Sequence, residues 1–216
     1  MIITVAGYKG GVGKTSTAVH LACYFHTKGS TLLIDGDPNR SATGWSKRGQ
    51  LPYQVADERL AAKLARDYDH IVIDTQARPE PEDLAALVAG CDLLVIPSTP
   101  DALALDALMQ TVDALRKFKA EQYKILLTIV PPKPSRDGDA AREEMLGMGL
   151  PVFQTGIRRL AAFQKAALMG IPVYEVKDPR AADGWADYQA VGKEIRSWVN
   201  RVNLKLSLKI DRKRSL

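Results

Sequence analysis

The sequence predicts an α/β fold, a doubly wound and mostly parallel sheet with helices on both faces. Strand-like apolar runs alternate with helical stretches along the chain, an order typical of sheets built from right-handed crossovers. The main runs, such as Leu32-Leu33-Ile34, are apolar at every position rather than at every second one. Strands with this pattern are buried on both faces, as they are in a parallel sheet that helices cover.

The elements follow from these runs and from the stretches between them. Main strands are expected at 2–6, 31–35, 70–74, 93–97 and 124–130, with weaker ones at 53–55, 152–154 and 172–174. Helices are expected at 15–27, 57–67, 81–90, 101–119, 137–147, 158–169 and 182–203. The 216 residues then form one domain over residues 1–203, followed by a basic C-terminal tail over residues 204–216.

A glycine-rich loop joins the first predicted strand to the first predicted helix. It reads Tyr8-Lys9-Gly10-Gly11-Val12-Gly13-Lys14-Thr15. Its glycines let the backbone turn tightly and point several N–H groups inward, and the following helix adds the positive end of its dipole. This context predicts a phosphate-binding loop, whereas a G-x-G-x-x-G dinucleotide fingerprint cannot be aligned with it. The candidate nucleotide contacts are Lys9, Gly10, Gly11, Val12, Gly13, Lys14, Thr15 and Ser16.

Aspartates stand at or just after the ends of the next predicted strands. Asp35 ends one strand, Asp37 follows it, and Asp74 ends another. Ligands of parallel sheets bind at the C-terminal ends of the strands, so we expect these carboxylates to meet the glycine loop at one site. Phosphoryl transfer to water needs held phosphates, Mg²⁺ and an oriented water. We assign Lys14 to the β- and γ-phosphates, Thr15, Asp37 and Asp74 to the metal, and Asp37 to the water, with Asp35 as second choice.

Three motifs together resemble the ParA/MinD family of ATPases. The form K-G-G-x-G-K-[ST] resembles the family's deviant Walker A loop, residues 32–39 resemble its strand ending in D-x-D-P, and residues 70–74 resemble its Walker B strand. The chain departs from the family at Thr75-Gln76-Ala77, where a Cys or Thr and two prolines are usual, and at Asn39, where Gln is common. The resemblance continues more weakly to about residue 200 and favours short plasmid-partition (ParF-like) proteins. Since the loop begins at residue 8, no N-terminal helix-turn-helix domain is expected.

The resemblance implies a mechanism and two ligands, ATP and Mg²⁺. In the family the extra lysine, which Lys9 matches, crosses a dimer interface to the partner's phosphates, so that a homodimer sandwiches two ATP molecules. The catalytic residues implied are Lys9, Lys14 and Asp37. The proline-rich segment 131–138 resembles the region that closes over the adenine, which makes Pro132 and Lys133 candidate base contacts; an ordinary loop is the alternative.

Composition narrows the cellular setting. No run of 18 apolar residues exists, and the chain enters a core strand at once, so neither a transmembrane segment nor a signal peptide is expected. The two cysteines, Cys23 and Cys91, have no metal or disulfide spacing and are expected to be buried or half-buried thiols in a reducing cytosol. His20 lies among apolar helix positions and is expected to be structural.

Positive charge is concentrated at the C-terminal end. Residues 193–216 carry eight basic and two acidic residues, a net +6 in a chain whose total is +5. A basic end suggests attraction to nucleic acid or to an anionic membrane, and a merely solubilising tail is the alternative. The apolar residues of 204–210 alternate with period 2, which predicts a short edge strand or a segment that pairs with a partner, not an amphipathic helix. The candidate DNA contacts are Arg158, Arg159, Lys165, Lys193, Arg196 and Arg201.

The resemblance, together with the basic C-terminal end, implies a cytoplasmic, nucleoid-associated switch ATPase. ATP-bound homodimers would bind DNA without sequence preference. A ParB-like or other adaptor protein would stimulate hydrolysis and so position a cargo: a plasmid, a chromosome, or a protein assembly such as a microcompartment. One alternative is a MinD-like membrane-associated positioning ATPase. Another is a metabolic enzyme of the same fold, such as a cobyrinate amidotransferase or a dethiobiotin synthetase.

Overall fold

One parallel sheet of six strands, in the order β3-β2-β4-β1-β5-β6, organises the computed structural model. The structure describes residues 1–214, except that the side chains of Pro81, Asn203 and residues 205–214 are not described. The strands are β1 Ile2–Gly7, β2 Thr31–Gly36, β3 Gln54–Asp57, β4 His70–Ala77, β5 Leu93–Ser98 and β6 Tyr123–Leu127. The helices are α1 Lys14–His26, α2 Ser41–Arg48, α3 Ala61–Leu64, α4 Pro81–Ala89, α5 Ala102–Lys117, α6 Asp137–Gly147, α7 Ala161–Met169 and α8 Ala181–Arg214.

Helices cover both faces of this sheet, which confirms the predicted fold class. Side chains alternate along each strand: Leu93 and Val95 of β5 pack into one core with α1, α2, α7 and α8, whereas Leu94 and Ile96 pack into the other with α4, α5 and α6. A third, smaller core lies under α3, at the end of the sheet formed by β2, β3 and β4. Because β1 and β4 are adjacent central strands, the loops that follow them emerge side by side.

Several predicted elements differ from those observed. The predicted strand at 172–174 is a 3₁₀ turn, Val173–Glu175, and its apolar residues reflect packing: Val173 is fully buried and its N–H donates to His20 of α1. The predicted strand at 152–154 is reduced to one bridge between Ile125 and Val152. The predicted helix at 57–67 is broken into α3 and two flanking 3₁₀ turns, and α2 was not predicted.

The edge strand predicted at 204–210 is wrong, because α8 continues as a helix through Arg214; residues 215–216 lie outside the described residues. Leu, Lys and Arg are all good helix formers, and this segment contains no Gly or Pro, so intrinsic preference outweighs the alternating pattern. None of the helices that the structure describes has the length and apolar content to cross a membrane.

The cysteines and His20 behave as the sequence predicts. Cys23 is a buried free thiol and Cys91 a half-buried one. His20 is fully buried, with its Nδ1 2.7 Å from the Ser16 carbonyl oxygen and its Nε2 accepting the Val173 N–H at 3.0 Å. Burial lowers the pKa of His20 to about 4, so the ring is neutral and ties the first turn of α1 to the segment before α8.

Candidate nucleotide-binding site

The glycine loop lies between the end of β1 and the first turn of α1, at the C-terminal edge of the sheet. Gly11 and Gly13 have φ of +75° and +82°, a left-handed conformation that side chains rarely adopt. The Thr128 hydroxyl, directly after β6, donates to the Val12 carbonyl at 2.7 Å and so fixes the loop. No acidic residue or side-chain cap occupies the first turn of α1, which leaves its N–H groups and dipole available to an anion.

Lys14 is held at the mouth of this loop. Its side chain is buried, with 8% of the residue exposed, and its Nζ donates to the Lys9 carbonyl at 3.1 Å. Burial lowers the pKa of Lys14, and attraction to Asp74 and Asp37 opposes that effect. A cation is thus already in place beside the helix N-terminus, at the position that a phosphate group requires.

Asp74 is the most unusual group of the site. The residue is fully buried on β4, and neither of its carboxylate oxygens has a hydrogen-bond partner among the described residues. Burial raises the pKa of Asp74 to about 7; the nearby Thr15 hydroxyl and Lys14 favour ionisation, whereas Asp35 and Asp37 disfavour it. A buried carboxylate without a partner is costly, and carboxylate and hydroxyl oxygens are the ligands that Mg²⁺ prefers. Asp74 with Thr15 therefore fits a magnesium ion.

Asp35 lies directly beside Asp74 in the sheet but is fully engaged. The two residues are register partners on β2 and β4. Asp35 accepts the Thr43 N–H at 2.8 Å and the Asp37 N–H at 3.3 Å, one on each oxygen, and thereby holds the first turn of α2. Because both of its oxygens accept backbone N–H groups, Asp35 has a structural role.

Asp37 follows β2 and is partly exposed. Its Oδ1 accepts both the backbone and the side-chain N–H of Asn39, at 2.9 and 3.0 Å. Within the described part of the chain no group donates to its other oxygen, so Asp37 retains an acceptor that Asp35 lacks. Nor do the described residues include three His, Cys, Asp or Glu side chains grouped to hold a metal by themselves. This suits an ion that takes only one or two ligands from the protein and the rest from phosphates and water.

Lys9 is paired within its own chain. Its Nζ lies 2.8 Å from Asp101 Oδ1, at the N-terminus of α5. Asp101 was not predicted from the sequence, although its place just after β5, at the same edge of the sheet as the loop, was a usable signal. The Lys9 carbonyl also accepts a hydrogen bond from Lys14 Nζ, so both the side chain and the backbone of Lys9 are held in place.

A cavity lined by Ser16, in the first turn of α1, and the cavity next to it are the candidate places for a base. One of about 220 Å³ is lined by Ser16 together with Ile129 and Phe163, and its neighbour of about 450 Å³ by Pro132 and Lys133. The predicted base contacts therefore line the cavity next to the one that Ser16 lines. A third cleft of about 440 Å³ is lined by Gly36 at the end of β2 and by Thr75 of β4.

Two of the predicted DNA-binding residues are neutralised by ion pairs. Arg158 precedes α7 rather than lying on it, and its guanidinium binds both oxygens of Asp187, with the closest contact at 2.7 Å. Lys165 pairs with Asp178 at 2.7 Å. The basic helix face predicted from Arg158, Arg159 and Lys165 is wrong, because α7 begins at Ala161 and only Lys165 lies on it; contact of these residues with DNA stays a prediction. The exposed basic residues that remain from that prediction are Arg159 and, on α8, Lys193, Arg196 and Arg201.

Comparison with known proteins places this arrangement in a family. The family model described as CobQ/CobB/MinD/ParA nucleotide binding domain matches residues 3–173. The chain is 35% identical over 205 residues to the maintenance of carboxysome distribution protein A of Gloeobacter kilaueensis, covering 91% of this chain and 95% of that protein.

Solved structures share the fold. That of a Cyanothece McdA variant in complex with ATP superposes with a TM-score of 0.66 at 17% identity, covering 92% of this chain and 96% of that one. MinD of Pyrococcus horikoshii, complexed with Mg-ADP, superposes with a TM-score of 0.64 at 17% identity, covering 87% and 93%. With a family model that spans most of its length, this chain belongs to the ParA/MinD family of deviant Walker A ATPases.

Proposed function

We propose that this ATPase is a positioning switch, which dimerises around ATP, binds DNA without sequence preference, and leaves it after hydrolysis. The observation that carries the nucleotide part is the adjacency of buried Lys14 and the unpartnered carboxylate of Asp74. An anion site and an unsatisfied acceptor for a cation lie side by side, which is what a magnesium nucleotide requires.

The residues of the site divide the work between them. The loop N–H groups and Lys14 bind the β- and γ-phosphates, and Ser16 lies beyond them, towards the base. Thr15 and Asp74 hold Mg²⁺, which when bound neutralises the charge that develops on the phosphates. Asp37, with one carboxylate oxygen available, orients the attacking water and accepts its proton. Pro132 and Lys133 close over the adenine from the adjoining cavity.

Lys9 gives the switch its dependence on a second chain. In the proposed dimer it crosses the interface to the phosphates of the partner's ATP. Binding of ATP then favours the dimer and hydrolysis disfavours it, because only the triphosphate supplies the γ-phosphate charge that Lys9 requires.

The DNA contact is assigned to α8. Lys193 and Arg196 lie on its exposed side, opposite the buried residues Ile195 and Val199, and five further basic residues follow Arg201 along the helix to Arg214. A dimer carries two such helices, so ATP raises the affinity for DNA through a second contact of the same kind. Contacts to phosphates alone give binding that ignores base sequence and weakens steeply with salt.

The cargo is inferred from the relatives. The similarity to a carboxysome distribution protein extends over 95% of that protein's length. We propose that this chain distributes a protein assembly of the microcompartment kind, with an adaptor protein on the cargo that stimulates hydrolysis.

A membrane switch of the MinD kind is a second candidate, and one observation favours it. The C-terminal segment is a helix through Arg214 and not the edge strand that the period-2 pattern predicts, and a helix is what a membrane switch of this kind would need. Its apolar residues nonetheless recur at every second position, which distributes them around a helix instead of forming one stripe.

Deletion of residues 204–216 separates the two candidates. We expect the truncated chain to hydrolyse ATP normally and to bind duplex DNA more weakly. The slope of log K against log salt should become less steep by about 0.9 for each DNA phosphate that the protein no longer neutralises. Sedimentation with linear DNA and with anionic liposomes, each with ATP or ADP, provides the measurement. ATP-dependent binding of the full chain to liposomes but not to DNA would refute the DNA-binding switch and favour the membrane switch.

A further inference from the structure

The ion pair between Lys9 and Asp101 holds the Lys9 side chain against its own subunit. The two atoms are 2.8 Å apart, and the side chains are 30% and 48% exposed. Asp101 is not a mobile surface acid: its Oδ1 also accepts the Ala104 N–H at 2.9 Å, which caps α5, and its Oδ2 accepts the Thr99 hydroxyl. The carboxylate is therefore fixed in orientation before Lys9 arrives.

The loop itself presents Lys9 to this carboxylate. The Lys9 carbonyl accepts a hydrogen bond from Lys14 Nζ. The N–H of the preceding residue, Tyr8, donates to the Thr111 hydroxyl of α5 at 3.4 Å. The contact with Thr111 holds the loop against α5, whose first turn Asp101 caps. A lysine side chain has one charge, and it cannot pair with Asp101 and with a phosphate on another chain at full strength at the same time.

We infer that Asp101 is an intramolecular latch that holds Lys9 on its own subunit and must release it before the ATP-bound dimer forms. This inference rests on the proposed cross-subunit role of Lys9 and adds a regulator to it. Asp101 sets the threshold of ATP and protein at which the switch closes, and it recaptures Lys9 when the γ-phosphate is lost.

The size of the effect follows from the exposure of the pair. Partly exposed ion pairs change an equilibrium by about twofold to fivefold each. A symmetric dimer opens two such pairs, so removal of the latch is expected to tighten the dimer by about 4-fold to 25-fold. The effect shrinks at high salt because both side chains contact solvent.

Asp101→Asn is the test, with a matched control on the same helix. Asparagine keeps a side-chain oxygen for the cap of α5 and removes the charge. Asp113→Asn removes a carboxylate of the same helix that is paired with Arg116 at 3.3 Å and not with Lys9. The dimer dissociation constant is measured by analytical ultracentrifugation with ATP in a background of Asp37→Ala, which keeps ATP intact. A fluorescent ATP analogue gives nucleotide affinity at protein concentrations too low for dimers.

We expect Asp101→Asn to tighten the ATP dimer about 4-fold to 25-fold, with nucleotide affinity changed less than about twofold and with Asp113→Asn like the parent. In a Lys9→Ala background, Asp101→Asn should have no effect on the dimer. A weaker or unchanged dimer in Asp101→Asn overturns the latch, and so does an equal tightening in the Lys9→Ala background. Failure of the parent to dimerise with ATP at any concentration is a different result, because it refutes the proposed function itself.

Discussion

Asp35 and Asp74 are neighbours in adjacent strands, both fully buried, yet they are opposite in every contact. Asp35 accepts two backbone N–H groups, one on each oxygen, whereas Asp74 accepts none from the described residues. The carboxylate of Asp35 stabilises the fold, because it accepts hydrogen bonds from the loop after β2 and from the first turn of α2. That of Asp74 is expected to destabilise it when ionised, because a desolvated carboxylate without hydrogen-bond donors costs free energy. Burial alone therefore does not distinguish a structural acid from a ligand-binding one, and the inventory of donors around each acid does.

The largest expected effect is on ATP hydrolysis, and it comes from Asp37, whose role neither Asp35 nor Asp74 can take over. Asp37→Ala is expected to lower the rate of ATP hydrolysis about 100-fold or more, because it removes the group assigned to the attacking water. Nucleotide binding should persist, so ATP dimers accumulate. Steady-state turnover together with light scattering measures both. An unchanged turnover rate would assign the water to another group, with Asp35 the first to be examined.

The next effect is on nucleotide binding, and it comes from Lys14, the cation that Asp74 attracts. Lys14→Ala is expected to weaken ATP and ADP binding by about 100-fold, since it removes charge-assisted hydrogen bonds to the phosphates. Fluorescence anisotropy of a labelled nucleotide provides the measurement. Lys124→Ala is a control of the same type, because Lys124 is also largely buried and is ion-paired, to Glu194, away from the loop. Normal affinity in Lys14→Ala would refute the assignment of the loop.

The same substitution at the two aspartates should change stability in opposite directions. Asp35→Asn places an amide N–H against backbone donors and is expected to lower the free energy of unfolding by about 1–3 kcal/mol. Asp74→Asn removes a buried carboxylate that has no hydrogen-bond partner and should leave the nucleotide-free protein as stable or more stable at a pH of about 8. Urea unfolding at fixed pH compares the two variants with the parent, and equal losses of stability would end the distinction between the two acids.

The pH dependence sharpens this comparison. Burial raises the pKa of Asp74 from 3.8 to about 7, so the folded state binds more protons than the unfolded chain between those values. The Asp74 contribution therefore makes stability fall as pH rises from about 4 to about 7, and it levels off above that range. Asp74→Asn should abolish this contribution, and Asp35→Asn should retain most of it, because burial and not Asp35 is the main cause of the raised pKa. Urea titrations at several pH values without nucleotide provide the measurement; identical pH slopes in parent and Asp74→Asn would contradict the raised pKa.

The sequence predicted what depends on local pattern and missed what depends on distant partners. The main strands were predicted because their apolar runs are continuous. α2 was not, since Thr43 and Gly44 are poor helix formers and the helix depends on Asp35 from the preceding strand. Arg158 was assigned to DNA because its partner, Asp187, is 29 residues away along the chain.

Within the site, the sequence could rank the acids but could not determine their contacts. The glycine loop and the strand ends predicted that Lys14, Asp37 and Asp74 would lie at one edge of the sheet. Which acid is satisfied depends on backbone N–H groups that only the folded loops bring close, and the pairing of Lys9 with Asp101 spans 92 residues. No local pattern of residues indicates either.

We assign the unsatisfied carboxylate of Asp74 as a magnesium ligand of the nucleotide site. The most direct measurement is the affinity for ATP with Mg²⁺ and with EDTA, in the parent, in Asp74→Asn and in Asp35→Asn. We predict that Mg²⁺ tightens ATP binding in the parent and in any folded Asp35→Asn, and that it no longer does so in Asp74→Asn. If Mg²⁺ tightens binding as much in Asp74→Asn as in the parent, Asp74 does not hold the metal.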